Sequence, residues 1–475
     1  MNSTVASLER AVRGTVRSDA PELQRVGRDG SHVRGTAIAS VAPRDAEDLV
    51  ALIRWARARS VPLVARGAGT SLDGESVPVG GGVVVDLSGW NDVREIRVDE
   101  RLARVGPGLV NRDLQAALAP HGLFFPPNPG SWTVSTIGGH VGTNASGPRS
   151  FRYGPTRAWV GAIDAVLGTG ALVHWGSRAV KRSVGPDLVS LFVGSEGTLG
   201  IATEVTVRLA PLPAVRRALV VPLPGDLALG PVAGGLARAA GTGLSAIEYL
   251  DAACAAELSG PAGFDLPHEG PLLLLEIEAD GTEDAGARER RVRSLLDRAG
   301  VGSEPTVYDD ADALWTLRGR ASLALDARLG ERIREDVAVP LPEVDRLLAA
   351  LERIARVERV PLYVFAHLGE GSVHPNYAVD PTGARGRRVR AALLAASLAL
   401  GGTISAEHGI GAVKVPFLTD EVGAPGVGVL RALKAACDPD GILNPGKLYP
   451  PAPRAAARRP SRSPSGSGAA RGRRG

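Results

Sequence analysis

The segment HLGEGSVHPN, residues 367–376, places two of the chain's eight histidines, His367 and His374, seven residues apart with Glu370 between them. Imidazole nitrogens and carboxylate oxygens are ordinary ligands of divalent metals, and a set of two histidines and one acid leaves coordination positions open for catalysis; zinc or manganese suits it. The spacing is too wide for adjacent turns of one helix. VPLYVFAHLGEGSVHPNY reads instead as strand, turn, strand, which leaves both histidines free to face one pocket. A further acid–histidine pair, Glu407 and His408, lies in GGTISAEHGIGAVK. A single histidine is more often a solvated or hydrogen-bonded core residue, so the chemical reading rests on the company the histidines keep.

Three more segments pair glycine with small hydroxyl residues: RGAGTSLDGES at 66–76, STIGGHVGTNASG at 135–147 and VGSEGTLGIATE at 193–204. Glycine lets backbone N–H groups turn toward an anion, and serine or threonine adds a donor, so each can help cradle a diphosphate. One such loop would be only a tight turn. Three in one region ask for a ligand. No Gly-Lys-Ser/Thr follows any of them, and none gives G-x-G-x-x-G before a helix with an acid about 20 residues on, so neither ATP nor NAD is favoured.

The elements that must position these residues fall into two groups. Residues 43–210 alternate helix and strand: PRDAEDLVALIRWARARS is a helix with acids at its start, VPLVARG, GGVVVDLSG and RLARVGPGLV are strands, and NRDLQAALAPHG is a short helix closed by glycine. After the proline-rich APLPAVRR, helices such as EVDRLLAALERIARV alternate with strands such as PLLLLEIEA, the pattern of an α+β domain. A chain of 475 residues suits two or three domains. The net charge of +4 belongs to residues 451–475, which hold seven arginines and no acid, so the remainder carries −3. That removes a whole-protein argument for nucleic acid and leaves the tail as a disordered terminus or a weak tether to anionic surfaces. No apolar leader and no apolar run long enough to span a bilayer are present, so a cytoplasmic protein, or one peripheral to a membrane, is expected. Cys254 and Cys437 stand far apart, which excludes a thiolate cluster and a disulfide framework.

In this order and spacing, PLVARGAGTSLDGESVPVGGGVVVDLSGWNDV, FFPPNPGSWTVSTIGGHVGTNASG, RYGPTRAWVGAIDAVLGTG and LVSLFVGSEGTLGIATEVTVRLAP resemble the FAD-binding domain of the FAD-linked oxidases of the vanillyl-alcohol oxidase (PCMH-type) fold. HLGEGSVHPN, GGTISAEHGIGAVK and DPDGILNPGK resemble the second domain of the subgroup that includes D-lactate, D-2-hydroxyglutarate and glycolate dehydrogenases. The resemblance implies an α+β chain with a two-subdomain FAD-binding domain over 41–212. A substrate (cap) domain with a ferredoxin-like antiparallel sheet follows over 213–450, its last stretch returning to the flavin. An N-terminal helical segment, 1–40, precedes them and a basic tail, 451–475, follows. FAD is expected against Arg66, Gly67, Ala68, Gly69, Thr70 and Ser71, against Thr136, Gly138, Gly139, Gly142, Asn144 and Ala145, and against Gly197, Gly200, Ile201 and Asn444. Thr70 stands where some relatives carry a histidine bonded to FAD, which implies a non-covalent cofactor.

The same resemblance makes His367, His374 and Glu407 the ligands of a divalent metal and His408 the general base. It makes Arg318, Ser322 and Arg334 the grip on a substrate carboxylate. The implied activity is oxidation of a D-2-hydroxy acid to the 2-oxo acid, with hydride passing to flavin N5. The electron acceptor, whether quinone, electron-transfer protein or oxygen, is left open. Metal-free oxidation of another alcohol and a flavin-binding subunit without catalysis are the alternatives. Departures from the family pattern exist: His140 replaces Asn, Ser146 turns NAGG into NASG, and Ala366, Glu370 and Ser372 alter GHxGDGNxH.

Overall fold

Local sequence logic is visible from the first long helix. In Ala46–Arg59 the Asp45 side chain accepts from Asp48 N, acids occupy the first turn and arginines the last, and Leu49, Leu52, Ile53 and Ala56 turn inward. The computed structural model describes residues 3–258, 266 and 270–450; the basic tail expected to be disordered lies outside the described residues. The helix covers a four-stranded sheet ordered Thr15–Arg17, Ala39–Ala42, Val83–Asp86, Leu63–Arg66, whose last three strands are parallel. Residues 1–40 are therefore not only helical. The three-residue Thr15–Arg17 pairs antiparallel with Ala39–Ala42 and is too short to show a period in sequence.

The helix–strand alternation expected through residue 210 continues past Asp86, with the expected short helix at Asn111–Leu118, but the strands change sheet there. Beyond it Val93–Arg97, Leu102–Val105, Gly200–Arg208, Val160–Leu167 and Leu172–Gly176 form a second, five-stranded sheet that is antiparallel throughout. Val160–Leu167 and Leu172–Gly176 are joined by a tight turn that needs no crossover helix.

The second half is built on an eight-stranded antiparallel sheet, with the α+β layering the sequence implies. Leu244–Leu250 pairs with Leu362–His367, which turns through residues 368–371 into Ser372–Tyr377. The turn requires glycine at 371, where φ is +73° and a Cβ would lie 2.1 Å from Val339 O. Side chains alternate across a strand. Ile247, Val364, Ala366, Val373 and Tyr377 thus pack into the core beneath helices Leu229–Arg238, Thr282–Arg298, Val344–Glu358 and Ala384–Ala399. Glu248, Phe365, His367, His374 and Asn376 fall on the other face. Helices Ala252–Leu258, Ala311–Gly319 and Ala321–Leu329 cover part of that face. Among the described residues no helix is long and apolar enough to cross a membrane.

Candidate functional site

The hairpin register sets His374 opposite Phe365 and Ser372 opposite His367, so the two imidazoles share one face with ring centroids 4.9 Å apart. Glu407 arrives from the turn after residue 404. Its Oε1 lies 3.3 Å from His367 Nε2, 3.4 Å from His374 Nε2 and 3.8 Å from His408 Nε2. That turn is clamped by Asp336, fully buried, whose Oδ2 accepts from Glu407 N at 2.6 Å and His408 N at 2.7 Å while Oδ1 lies 3.3 Å from His408 Nδ1. Burial favours the neutral His374 ring and pushes it well below the usual imidazole range. His367 is pulled down by burial too, but the Glu248 and Glu407 carboxylates outweigh that and hold it up to about 10. Burial would raise Glu407, yet His367 above all keeps it well below the usual carboxylate range.

The three expected ligand residues offer atoms that all lie within 4.8 Å of one another. Tetrahedral neighbours on a metal with bonds of about 2.1 Å are about 3.4 Å apart, close to the separations from Glu407 Oε1. Neither ring nitrogen of buried His374 has a hydrogen-bond partner of good geometry. The donor set therefore fits a divalent ion. Glu370 stands apart: it accepts from Ser150 Oγ at 2.5 Å and belongs to no ligand cluster. Asp73, Asp336 and His408 also converge, but the Lys414 ammonium, fully buried, already sits among those acids, 3.2 Å from Asp73 and bonded to Asp336.

Arg318, from helix Ala311–Gly319, stacks on Phe365 with its guanidinium 4.6 Å from the ring centre and holds Glu248 Oε2 at 2.7 Å. Glu248 Oε1 in turn lies 2.6 Å from His367 Nδ1. Ser322 and Arg334 are gathered elsewhere, around Asp326 and the buried Arg332. Arg332 donates to Ser322 Oγ at 3.2 Å, and Arg334 meets Asp326 at 2.7 Å. Arg332 also donates to Asn376 Oδ1, two residues from His374, which ties this group to the sheet. Glu248, Asp336, Lys414, Arg332 and Asn376 were not picked out by sequence reasoning. The available signal was charge inside otherwise apolar strands, as in LSAIEYL, where a buried acid must have a partner.

The glycine-rich segments meet in one cleft that is partly open to solvent. Arg66 through Ser71, Thr136, Gly138, Gly139, Gly142, Gly197, Gly200 and Ile201 all line it. Asn144, Ala145 and Asn444 do not. Asn144 Oδ1 accepts from Arg157 N, Ala145 O accepts from Thr156, and Asn444 Nδ2 ties the carbonyls of Glu75 and Glu196 at 2.8 and 2.7 Å. His140 is a buried neutral ring 2.8 Å from Ser135 Oγ, pushed down to about 4 by burial. The cleft suits an anionic cofactor. Arg66 is 5% exposed, its Nε has no hydrogen-bond partner, and a Cβ at residue 69 would strike its Nη2 at 2.0 Å. The His367–His374–Glu407 cluster adjoins this cleft, because Glu196 on the cleft wall accepts from Ile410 N at 2.7 Å and Gly411 N at 3.0 Å, just past His408.

Comparison with known proteins agrees with both halves. Residues 37–176 match the family model for an FAD binding domain, and residues 212–448 match that for the C-terminal domain of FAD linked oxidases. The chain is 34% identical over 419 residues to the glycolate oxidase subunit GlcD of Bacillus subtilis, covering 86% of this chain and 88% of that one. It is 32% identical over 410 residues to the D-lactate dehydrogenase of Archaeoglobus fulgidus, covering 86% and 90%, and 32% identical over 451 residues to the D-2-hydroxyglutarate dehydrogenase of Stutzerimonas stutzeri, covering 92% and 96%. In fold it is similar to p-cresol methylhydroxylase, with a TM-score of 0.78 at 15% identity over 94% of this chain and 96% of that one. It is likewise similar to 4-ethylphenol oxidase from Gulosibacter chungangensis, at 0.76 and 18% over 94% and 97%. With a flavin-binding half and an oxidase half both accounted for, the chain belongs to the FAD-linked oxidases and is an FAD-dependent oxidoreductase.

Proposed function

We propose that this protein is a dehydrogenase that oxidises a D-2-hydroxy acid of the D-lactate, glycolate or D-2-hydroxyglutarate type to its 2-oxo acid, with FAD held non-covalently. The observation that carries the reading is the adjacency of an anion-suited glycine cleft and a two-histidine, one-carboxylate cluster, linked through Glu196 and the turn that bears His408. FAD, when bound, supplies the hydride acceptor. A zinc or manganese ion, when held by His367, His374 and Glu407, supplies a charge that favours the ionised hydroxyl. The chain's own part is to hold the substrate and move one proton. His408 Nε2 takes the hydroxyl proton, and Asp336 beside Nδ1 stabilises the imidazolium that results. Arg318 binds the substrate carboxylate through donors that Glu248 leaves free, with Ser322 and Arg334 supporting from the Asp326 cluster.

One observation favours a metal-free variant of this chemistry: His367 lies between two carboxylates, 2.6 Å from Glu248 and 3.3 Å from Glu407, so Glu407 has a partner without an ion. Anaerobic mixing of the purified flavoprotein with D- and L-2-hydroxy acids, before and after chelation, separates the two. The expected result is rapid bleaching of the flavin by one D-acid and its loss on chelation. Bleaching that survives chelation assigns the metal-free reading, and a flavin that no hydroxy acid bleaches refutes the proposed activity.

A further inference from the structure

We infer that Ser146 is a positioning residue for the Glu407 carboxylate, so that the flavin-binding half of the chain tunes the metal affinity of the other half. The inference rests on the metal-site reading above. Glu407 divides its two oxygens. Oε1 faces the three imidazoles, and Oε2 accepts from Ser146 Oγ at 3.0 Å. Asp336 fixes only the backbone of Glu407, so without a partner on Oε2 the carboxylate is free to rotate and present either oxygen. A hydroxyl on one oxygen removes that freedom.

The hydroxyl itself is placed by a braced backbone. Before it, Asn144 adopts φ +55° with its side chain held by Arg157 N, and Ala145 O accepts from Thr156 Oγ1 at 2.6 Å. After it, Gly147 packs so closely on Asn128 that a Cβ would lie 2.2 Å from the Asn128 carbonyl oxygen. Ser150, on the same segment, makes a parallel bond to Glu370. Two hydroxyls from the flavin half thus clasp two acids of the second half. A glycine at position 146 would have no atom for this task. Groups that orient a metal ligand from behind typically change affinity on the order of 10- to 100-fold when removed.

The test is a zinc titration of the full-length, FAD-loaded protein against a chromophoric chelator, on wild type, Ser146→Ala, Ser146→Gly, Ser146→Thr and a His374→Ala control. The expected result is zinc binding weakened about tenfold in the Ala and Gly variants and restored to within about threefold by Thr, with flavin content unchanged. With cobalt as the probe, the visible band of the bound ion should shift in Ser146→Ala and return in Ser146→Thr. Zinc affinity and cobalt spectrum equal to wild type in both Ala and Gly variants would overturn the inference. Wild type binding zinc no better than His374→Ala would instead overturn the metal site itself, and the role of Ser146 with it.

Discussion

Glu248 shows how much of a site rests on a residue that touches no substrate. Its carboxylate is wholly buried, bridging His367 Nδ1 and the Arg318 guanidinium. A partner on Nδ1 fixes the ring so that Nε2 faces Glu407, and removing such a partner typically costs on the order of 10- to 100-fold in affinity or activity. Glu248→Gln keeps the shape and loses the charge. The expected outcome is a fall in kcat/KM for the best D-acid of at least about tenfold, with FAD still bound; a value within about twofold of wild type would show that the link does nothing for His367. His367, His374, Glu407 and His408 were legible in sequence because each sits in a short, unusual stretch. Glu248 was not, because its partners lie 119 and 70 residues away, and only the folded sheet with its covering helix Ala311–Gly319 brings them together. Asp336 and Lys414 escaped for the same reason.

At the scale of elements, glycine does two separate things in the flavin cleft. Gly67 and Gly69 allow close packing: a Cβ would meet Thr136 Oγ1 at 2.1 Å in one case and Arg66 in the other, and Gly69 also has φ +70°. Gly142, on helix Ile137–Thr143, has no atom from outside its own helix within 4 Å of its Cβ position, yet it lines the cleft. Gly142→Leu should therefore leave the fold intact, since leucine favours helix over glycine by roughly 0.5–1 kcal/mol, while filling space the cofactor needs. The expected outcome is protein with an unaltered circular dichroism spectrum that purifies largely without flavin; full flavin occupancy would remove this helix from the FAD site. The glycine-bearing loops were legible because backbone demands leave a mark in composition. Asn144, Ala145 and Asn444 were placed against the cofactor by resemblance, and here they brace the loops through side-chain and carbonyl bonds. That the strands beyond Asp86 form a separate, all-antiparallel sheet was not legible, because local pattern identifies a strand without saying which strand it pairs with.

Across the whole molecule, the proposed chemistry needs the two halves held in register, and one buried ion pair that crosses their boundary is Arg149 on Glu276. The pair is 2.9 Å apart, with the carboxylate side chain 0% exposed and the guanidinium 17% exposed; Ser245 and Arg216 complete the cluster. Burial would raise the Glu276 carboxyl, but Arg149 and then Arg216 outweigh it and hold it below the ordinary range. A carboxyl depressed in the folded state stabilises fully above its unfolded pKa, about 4.3, and loses that contribution as pH falls through the lower folded value. Arg149→Met leaves the buried carboxylate with only the more distant Arg216 at 3.5 Å and the Ser245 hydroxyl, a loss approaching the about 3–5 kcal/mol of a buried pair broken on one side. The urea midpoint should drop sharply near neutral pH, and the gap to wild type should close as the medium is acidified below the unfolded carboxyl pKa. Replacing both partners, Arg149→Met with Glu276→Met, should recover much of the loss, because no charge is then left buried alone. A midpoint gap that is independent of pH, or a double variant no better than the single one, would mean that the pair is not what joins the two halves.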